Sequence, residues 1–156
     1  MELDMILTLN RSDQIDYVSK QLPSAAGLVA RLLVRQLGGE LSRTEVGLLS
    51  TLSSGPRRIT DLAELEGLAQ PTMTSLVKGL EQQGLVRRDR QADDGRVVLV
   101  HLTDSGAGAL KDYRARVREL LGSYLAAIPD QQVEALTAAT DALAQLVALL
   151  QEQHVR

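Results

Sequence analysis

At the N-terminal end of the chain, apolar residues recur three and four positions apart, which is the spacing of one face of an α-helix. This pattern predicts helices over residues 12–22 and 24–37. Pro23 lies between them and should break or kink the chain, with Ser24 as a candidate cap, because proline lacks a backbone N–H and its ring clashes with the preceding turn. Gly38 should end the second helix.

The middle of the chain carries shorter periodic segments. They predict a helix over residues 44–53 and then a very short one over residues 61–66. Thr60 is the expected cap of the short helix, and Leu62 and Leu65 should face inward.

A further helix is predicted over residues 71–83, because Pro71 suits a first helical turn and Gly84 suits a helix end. Together with the short helix before it, this segment is a candidate helix-turn-helix. Residues 85–90 and 97–102 are rich in β-prone side chains and are separated by turn-forming residues, so they predict a hairpin.

Thr103-Asp104-Ser105-Gly106 follows the hairpin at once and should cap a long helix over residues 104–126, before a last helix over residues 130–152. The predicted fold is mainly α with a small β-hairpin. A hairpin directly after a helix-turn-helix indicates a winged helix-turn-helix, here over residues 42–103. The length of the chain favours a single domain, residues 1–156.

Composition excludes several classes of site. The chain contains no Cys, Phe or Trp, so it has no disulfide, no thiolate metal site and no thiol redox sensor, and its core must be aliphatic. Residues 1–30 lack the long apolar stretch of a secretory signal, and no run of about 18 uncharged apolar residues occurs anywhere. We therefore expect a cytoplasmic protein with no membrane span.

The net charge of −3 argues weakly against a generally basic surface for nucleic acid. Charge is unevenly distributed, however, and residues 57–102 are the least acidic third of the chain. The basic residues of this segment are Arg57, Arg58, Lys78, Arg87, Arg88, Arg90 and Arg96.

The predicted helix over residues 71–83 has an outward face of short polar side chains that suits base edges and phosphates in the DNA major groove. Its members, with the residue just before the helix, are Gln70, Thr72, Thr74, Ser75 and Lys78. The alternative interpretation is that these residues are simply the solvated face of a surface helix.

Arg96 stands at the loop end of the second predicted strand, where its guanidinium could enter a narrow minor groove. Asp94 lies two residues earlier and can pair with the guanidinium and fix its direction. Arg88 and Arg90 on the first strand add positive charge. The alternative interpretation is a tight turn that happens to carry charged residues.

Asp94-Gly95-Arg96, followed by Val98-x-Val100-x-Leu102-Thr103-x-x-Gly106, resembles the wing signature of the MarR family of transcriptional regulators. The preceding stretch LAELEGLAQPTMTSLVKGLEQQGLVRR (residues 62–88) resembles that family's helix-turn-helix and first wing strand. These motifs cover residues 60–106, and the order of helices extends the likeness over nearly the whole chain.

The resemblance implies a homodimer that binds a pseudo-palindromic double-stranded DNA operator, most often as a repressor. The dimerisation helices would be residues 12–37 and 104–152. The family's major-groove readers fall on Gln70, Thr72, Thr74, Ser75 and Lys78, and its wing arginine falls on Arg96. The chain departs from the family at Ala69 and Ser75, where the family often has Ser and Arg.

Family members often bind small, frequently phenolic, acids between the dimerisation helices and the DNA-binding lobe. By helix position, the candidates for such a ligand pocket are Tyr17, Arg35, Tyr113 and Tyr124. Each of the tyrosines has the simpler alternative of packing with a satisfied hydroxyl.

An enzyme has little support, because His101 and His154 have no partner at a recognisable spacing and no phosphate loop or nucleophile motif occurs. We expect no catalytic residue, metal or cofactor. Two hypotheses remain. The first is a DNA-binding regulator, and the second is a winged-helix protein-interaction module without specific DNA binding. The negative net charge of the chain favours the second.

Overall fold

The computed structural model describes residues 10–39, 41–90 and 98–153. The chain divides into two compact units, Met1–Val117 and Arg118–Arg156. In chain order the elements are α1 (Arg11–Leu37), α2 (Arg43–Leu52), β1 (Arg57–Arg58), α3 (Ile59–Leu65), α4 (Gln70–Gln82), β2 (Val86–Arg90), β3 (Val98–Leu102), α5 (Asp104–Leu125) and α6 (Asp130–Gln153).

The first helix, α1, is unbroken and carries Pro23 inside it, so the prediction of two helices separated at this residue is wrong. Ser24 lies within the same helix and caps nothing. A proline inside a helix destabilises it by about 3 kcal/mol. The apolar pattern opposes a break, because Ile15, Leu22 and Val29 are seven residues apart and share one face of a continuous helix across Pro23.

The short helix α3 begins earlier than predicted, at Ile59, and therefore includes Thr60 in its first turn instead of using it as a cap. Leu62 is fully buried as predicted, but Leu65 is 61% exposed. The buried face runs through Ile59, Leu62 and Ala63, which are spaced i, i+3, i+4. This spacing leaves Leu65 outside the face that meets the core.

The core of the first unit is entirely aliphatic apart from one methionine, as the lack of Phe and Trp requires. It is built from α2, α3, α4, the sheet and the start of α5. Its buried members are Leu48, Leu49, Leu52, Leu62, Ala63, Met73, Val77, Leu80, Val86, Val100 and Leu110.

The predicted hairpin is confirmed as β2 and β3, which pair antiparallel with Arg88 opposite Val100. The sequence did not predict β1, which pairs with the other edge of β3 through Arg57 and Arg58. The order β1-β3-β2 makes β3 the central strand, and Val100 on it is fully buried.

The second unit consists of the end of α5 and of α6. Along α6 the apolar side chains are exposed, among them Leu136, Leu143, Leu146, Val147, Leu149 and Leu150. By length and composition alone, Asp130–Glu152 is also long and apolar enough to cross a membrane. The sequence-based expectation of no span rested on an uninterrupted apolar run, which Glu134 and Asp141 interrupt in this helix.

Candidate nucleic-acid interface

Helix α4 has one fully buried face and one exposed polar face. Met73, Val77 and Leu80 are buried and fix the helix on the core. The predicted readers lie on the exposed side: Gln70, Thr72, Thr74, Ser75 and Lys78. The structure therefore brings this predicted set together on one surface.

The start of α4 is set by the turn that precedes it. Gly67 adopts φ 62, a left-handed conformation that favours glycine, and Leu68 N–H donates to the carbonyl of Ala63 at 2.8 Å. Ala69 occupies the cap position and has no side-chain acceptor to offer, as the sequence indicated. Pro71 follows within the first turn, where a missing N–H leaves no helical bond unmade.

The polar side chains on α4 differ in what they can offer to a base. The hydroxyl of Thr74 donates to the carbonyl of Gln70 at 2.8 Å, so its proton is used within the helix while its lone pairs and methyl group remain exposed. Within the described part of the chain, Thr72, Ser75 and Lys78 are exposed and make no hydrogen bond to other side chains.

The end of α4 leads into the wing through a tight turn. Gly84 adopts φ 73, and Leu85 N–H donates to the carbonyl of Leu80 at 2.9 Å, which closes the last turn of the helix. Strand β2 begins one residue later at Val86. Helix α4 and the hairpin are thus adjacent in sequence and joined by only three residues.

Arg88, a predicted wing contact, is engaged by Glu81 in the last turn of α4. Its Nε donates to Glu81 Oε2 at 2.9 Å, its Nη2 contacts the same oxygen, and its backbone N–H donates to Glu81 Oε1 at 3.2 Å. The hydrogen bond from Arg88 lowers the pKa of Glu81, and the same bond raises the pKa of Arg88. Both groups are therefore charged at neutral pH.

A second polar cluster lies on β2 and β3. Arg87 pairs with Asp89, and His101 Nε2 lies 3.6 Å from the same Asp89 oxygen. Burial lowers the pKa of His101, and the positive charge of Arg87 lowers it further. The pKa of His101 therefore lies below its ordinary value, and the imidazole is neutral at pH 7.

The wing tip itself lies outside the described residues, and with it the predicted Asp94 and Arg96. The strands that lead to it are described, and the last pair of the ladder joins Arg90 to Val98. Arg90 therefore stands at the end of β2, directly before the tip.

A cavity of about 740 Å³ opens in the first unit. It is lined by Gly38 and Gly39 after α1, by Gln83 and Leu85 after α4, and by residues of α5 that include Asp112, Tyr113 and Arg116. Of the four residues predicted for a ligand pocket, Tyr113 lines this cavity, whereas Tyr17, Arg35 and Tyr124 are exposed elsewhere on the chain.

The sequence reasoning missed Asp112 and Arg116 as lining residues. Arg116 also donates to the carbonyl of Leu37 at the end of α1. Helical spacing from Tyr113 was the available signal, because Ala109 and Arg116 lie four residues before it and three after it on the same face. Among residues 10–39, 41–90 and 98–153, no group of three His, Asp or Glu side chains is placed to hold a metal.

The chain is similar to known proteins in both sequence and structure. The model of the MarR family matches residues 41–98. A helix-turn-helix type transcriptional regulator of Mycobacterium bovis is 32% identical over 133 residues, which are 81% of this chain and 93% of that protein. The chain belongs to the MarR family.

Two further similarities extend the likeness. The transcriptional repressor MdtR of Bacillus subtilis is 24% identical over 109 residues, or 70% of each chain. The structure of a MepR mutant of S. aureus bound to an oligodeoxyribonucleotide has a TM-score of 0.58 and 20% identity, and the match covers 85% of this chain and 97% of that one. The predicted winged helix-turn-helix fold is confirmed, and the protein is a transcriptional regulator of a DNA-binding family, not an enzyme.

Proposed function

We propose that this MarR-family protein is a homodimeric repressor that binds a pseudo-palindromic double-stranded DNA operator in a sequence-specific manner. The observation that carries the proposal is the exposed polar face of α4. The opposite, apolar face of this helix is fully buried, and a hairpin follows the helix directly. A fixed helix with short polar side chains is the means by which helix-turn-helix proteins read the major groove. Because the target is DNA, we place the protein in the cytoplasm.

Base reading is assigned to α4. Gln70 can pair with an adenine edge through its amide, and Thr72 and Ser75 can donate to or accept from base edges. Thr74, whose proton is used within the helix, can accept a hydrogen bond or contact a thymine methyl group through its own methyl. Lys78 is placed toward the end of the helix, where a point charge suits a phosphate. The base contacts would give sequence preference, and the phosphate contact would hold the helix on the DNA backbone.

Minor-groove contact is assigned to the wing. Arg96 would enter the groove, Asp94 would orient the guanidinium, and Arg90 at the end of β2 would add attraction to the backbone. A guanidinium is favoured in a narrow minor groove because the negative potential is enhanced there. The relative MdtR is named as a repressor, which supports the same role here.

Dimerisation is assigned to the terminal helices, residues 12–37 and 104–152. On α1 the exposed apolar residues include Ile15, Val18, Leu28 and Val29, and α6 exposes a longer apolar row. A second copy is a better cover for α6 than lipid, because Asp141 lies at the middle of the helix and would be destabilising by about 2.5–3.5 kcal/mol at the centre of a bilayer. Twofold symmetry would then present two α4 helices about 34–36 Å apart to successive major grooves.

Release by a small aromatic or phenolic acid is assigned to the cavity. Tyr113 offers a ring for stacking and Arg116 a guanidinium for an acid group, while Asp112 disfavours ligands with more than one negative charge. The cavity is also lined by Gln83 and Leu85, which join α4 to the wing. A ligand there would act by binding more tightly to a dimer whose two α4 helices are wrongly spaced for DNA.

The test is fluorescence anisotropy with a labelled duplex from upstream of the protein's own gene, at several salt concentrations, against a random duplex of equal length. We expect tighter binding to the upstream duplex and a steep salt dependence that reports the number of phosphates contacted. Arg96→Ala should weaken operator binding by more than about 1 kcal/mol. Equal and weak binding of both duplexes would instead leave two options: an operator at a distance from the gene, or a winged helix that binds protein partners.

A further inference from the structure

The contact between Glu81 and Arg88 is a second link between α4 and the wing, in addition to the turn that connects them. Both oxygens of one carboxylate are used: Oε1 accepts the backbone N–H of Arg88 at 3.2 Å, and Oε2 accepts the guanidinium Nε at 2.9 Å. Glu81 lies on the last turn of α4 and Arg88 in the middle of β2. The carboxylate therefore fixes both the side chain and the backbone of the strand.

The position of β2 in the sheet explains why a backbone donor is free for this contact. The strand order β1-β3-β2 makes β2 an edge strand, so alternate N–H groups along it point away from β3. Glu81 takes one of them. Val86 at the start of β2 is buried in the same core as the apolar face of α4, and Glu81 adds a polar contact two residues farther along the strand.

The same contact argues against Arg88 as a phosphate ligand. Its guanidinium is held by a carboxylate, so the pair carries no net charge toward DNA. Both side chains are about one-third exposed, and an ion pair of this exposure adds little to the stability of the fold. Its main effect is geometric, because the guanidinium closes on one carboxylate oxygen while the other oxygen accepts the backbone N–H of the same residue, which fixes direction as well as distance.

We infer that Glu81 and Arg88 form a brace that sets the angle of the wing relative to α4, and that Glu81 is a positioning residue for operator recognition. The inference rests on the proposed function, in which α4 and the wing engage the same DNA. When α4 and the wing are already fixed relative to each other, both can contact DNA without an entropic cost for ordering them on binding. If the wing could move relative to α4, DNA binding would have to meet that cost. Glu81 thus favours DNA binding although it bears the same sign of charge as DNA.

The sign of the Glu81→Gln effect separates this brace from simple electrostatics. If Glu81 acts as a brace, the variant loses about five- to tenfold in operator affinity, equivalent to roughly 1–1.4 kcal/mol, with no loss on random duplex. If Glu81 acts only as a negative charge near DNA, the variant binds both duplexes more tightly. Glu64→Gln is the matched control: it removes an exposed carboxylate from α3 and should leave the ratio of the two affinities unchanged.

Arg88→Lys provides the second arm, because lysine keeps the charge and loses the planar fork. A brace predicts that Arg88→Lys loses operator affinity as Glu81→Gln does, with an unchanged salt slope. A direct phosphate contact predicts nearly full affinity for Arg88→Lys. Retained affinity in this variant would overturn the inference.

A double-mutant cycle with Arg96→Ala completes the test. If the brace acts through the wing, Glu81→Gln adds little further loss once Arg96 has been removed. Full additivity would contradict the brace. If Arg96→Ala and Thr72→Ala leave operator affinity intact, the proposed DNA contacts fail and the brace fails with them. If those two variants lose affinity while Glu81→Gln does not, the brace alone is wrong.

Discussion

The hydroxyl of Thr103 donates a hydrogen bond to the carbonyl of Gly84 at 2.7 Å. The same hydroxyl accepts the backbone N–H of Gly106 at 3.0 Å, and Thr103 N–H donates to the carbonyl of Leu85 at 3.2 Å. One residue therefore caps α5 and also ties the end of β3 to the turn after α4. The end of α4, the hairpin and the start of α5 meet at this point.

The Thr103 tie predicts a measurable loss of stability in Thr103→Val, which keeps the shape and removes the hydroxyl. We expect a loss of about 0.5–2 kcal/mol in the free energy of unfolding, the range for a lost helix cap. Chemical denaturation at fixed protein concentration measures it. Thr60→Val is the control, since the hydroxyl of Thr60 contacts only its exposed neighbour Asp61. A Thr103→Val protein as stable as the control variant would refute the tie.

The close approach of Gly106 to Leu85 predicts that no larger residue is tolerated there. A Cβ on Gly106 would lie 2.0 Å from the carbonyl oxygen of Leu85, which is backbone and cannot move aside. Gly106→Ala should therefore destabilise the protein by at least about 1–3 kcal/mol, the usual range for overpacking. Thermal unfolding at equal protein concentrations reports the change.

Gly108 offers the matched control on the same helix, because a Cβ there would meet nothing within 4 Å. Gly108→Ala should stabilise α5 by about 0.5–1 kcal/mol through helix propensity. Similar stabilities for the two variants would show that α5 does not approach the turn after α4 as closely as described.

The neutral state of His101 predicts that stability falls in mild acid. Its pKa in the folded protein lies below the ordinary value of 6.5, so between these two values the unfolded chain binds more protons than the folded one. The contribution is fully present above 6.5 and is lost as the pH falls below that value. Denaturation midpoints between pH 7.5 and 5.5 measure this effect, and His101→Gln should flatten the profile. A wild-type profile no steeper than that of the variant would contradict the prediction.

The exposed apolar row of α6 predicts that a single charge disrupts the dimer. Leu143 is 38% exposed, and Leu143→Asp would place a charge where a second copy is expected to pack. Sedimentation should show two copies for the wild type and a shift toward one for the variant. Gln145→Asp adds the same charge off the apolar row and should remain a dimer. A wild-type protein that sediments as a single copy would exclude the proposed dimer.

Local chemistry explains which parts of the fold the sequence could predict. Gly84 and Thr103 set a helix end and a helix start through their own neighbours, so both were predicted correctly. The strand β1 was missed because its two residues are defined only by pairing with β3, more than 40 residues later. The predicted break at Pro23 was wrong because the local tendency of proline to end a helix was outweighed by the helical spacing of apolar residues on both sides of it.

The candidate site likewise has a part that the sequence could predict and a part that it could not. The polar face of α4 follows from helical spacing, and its exposure was predictable. The pairing of Arg88 with Glu81 depends on how the turn at Gly84 folds the strand back along the helix, and no spacing rule gives that. For the cavity, the sequence indicated Tyr113 but pointed to Arg35, whereas the fold places Arg116 there.

Selection from a pool of randomised duplexes shows whether α4 reads DNA sequence in a symmetric dimer. The protein is mixed with the pool, bound duplexes are recovered through several rounds, and the enriched sequences are compared. We expect an inverted repeat whose half-site centres lie about 10–10.5 base pairs apart, with the preferred bases changed in Thr72→Ala. A pool that shows no enriched sequence, or the same repeat for wild type and variant, would mean that α4 does not read the sequence of the DNA.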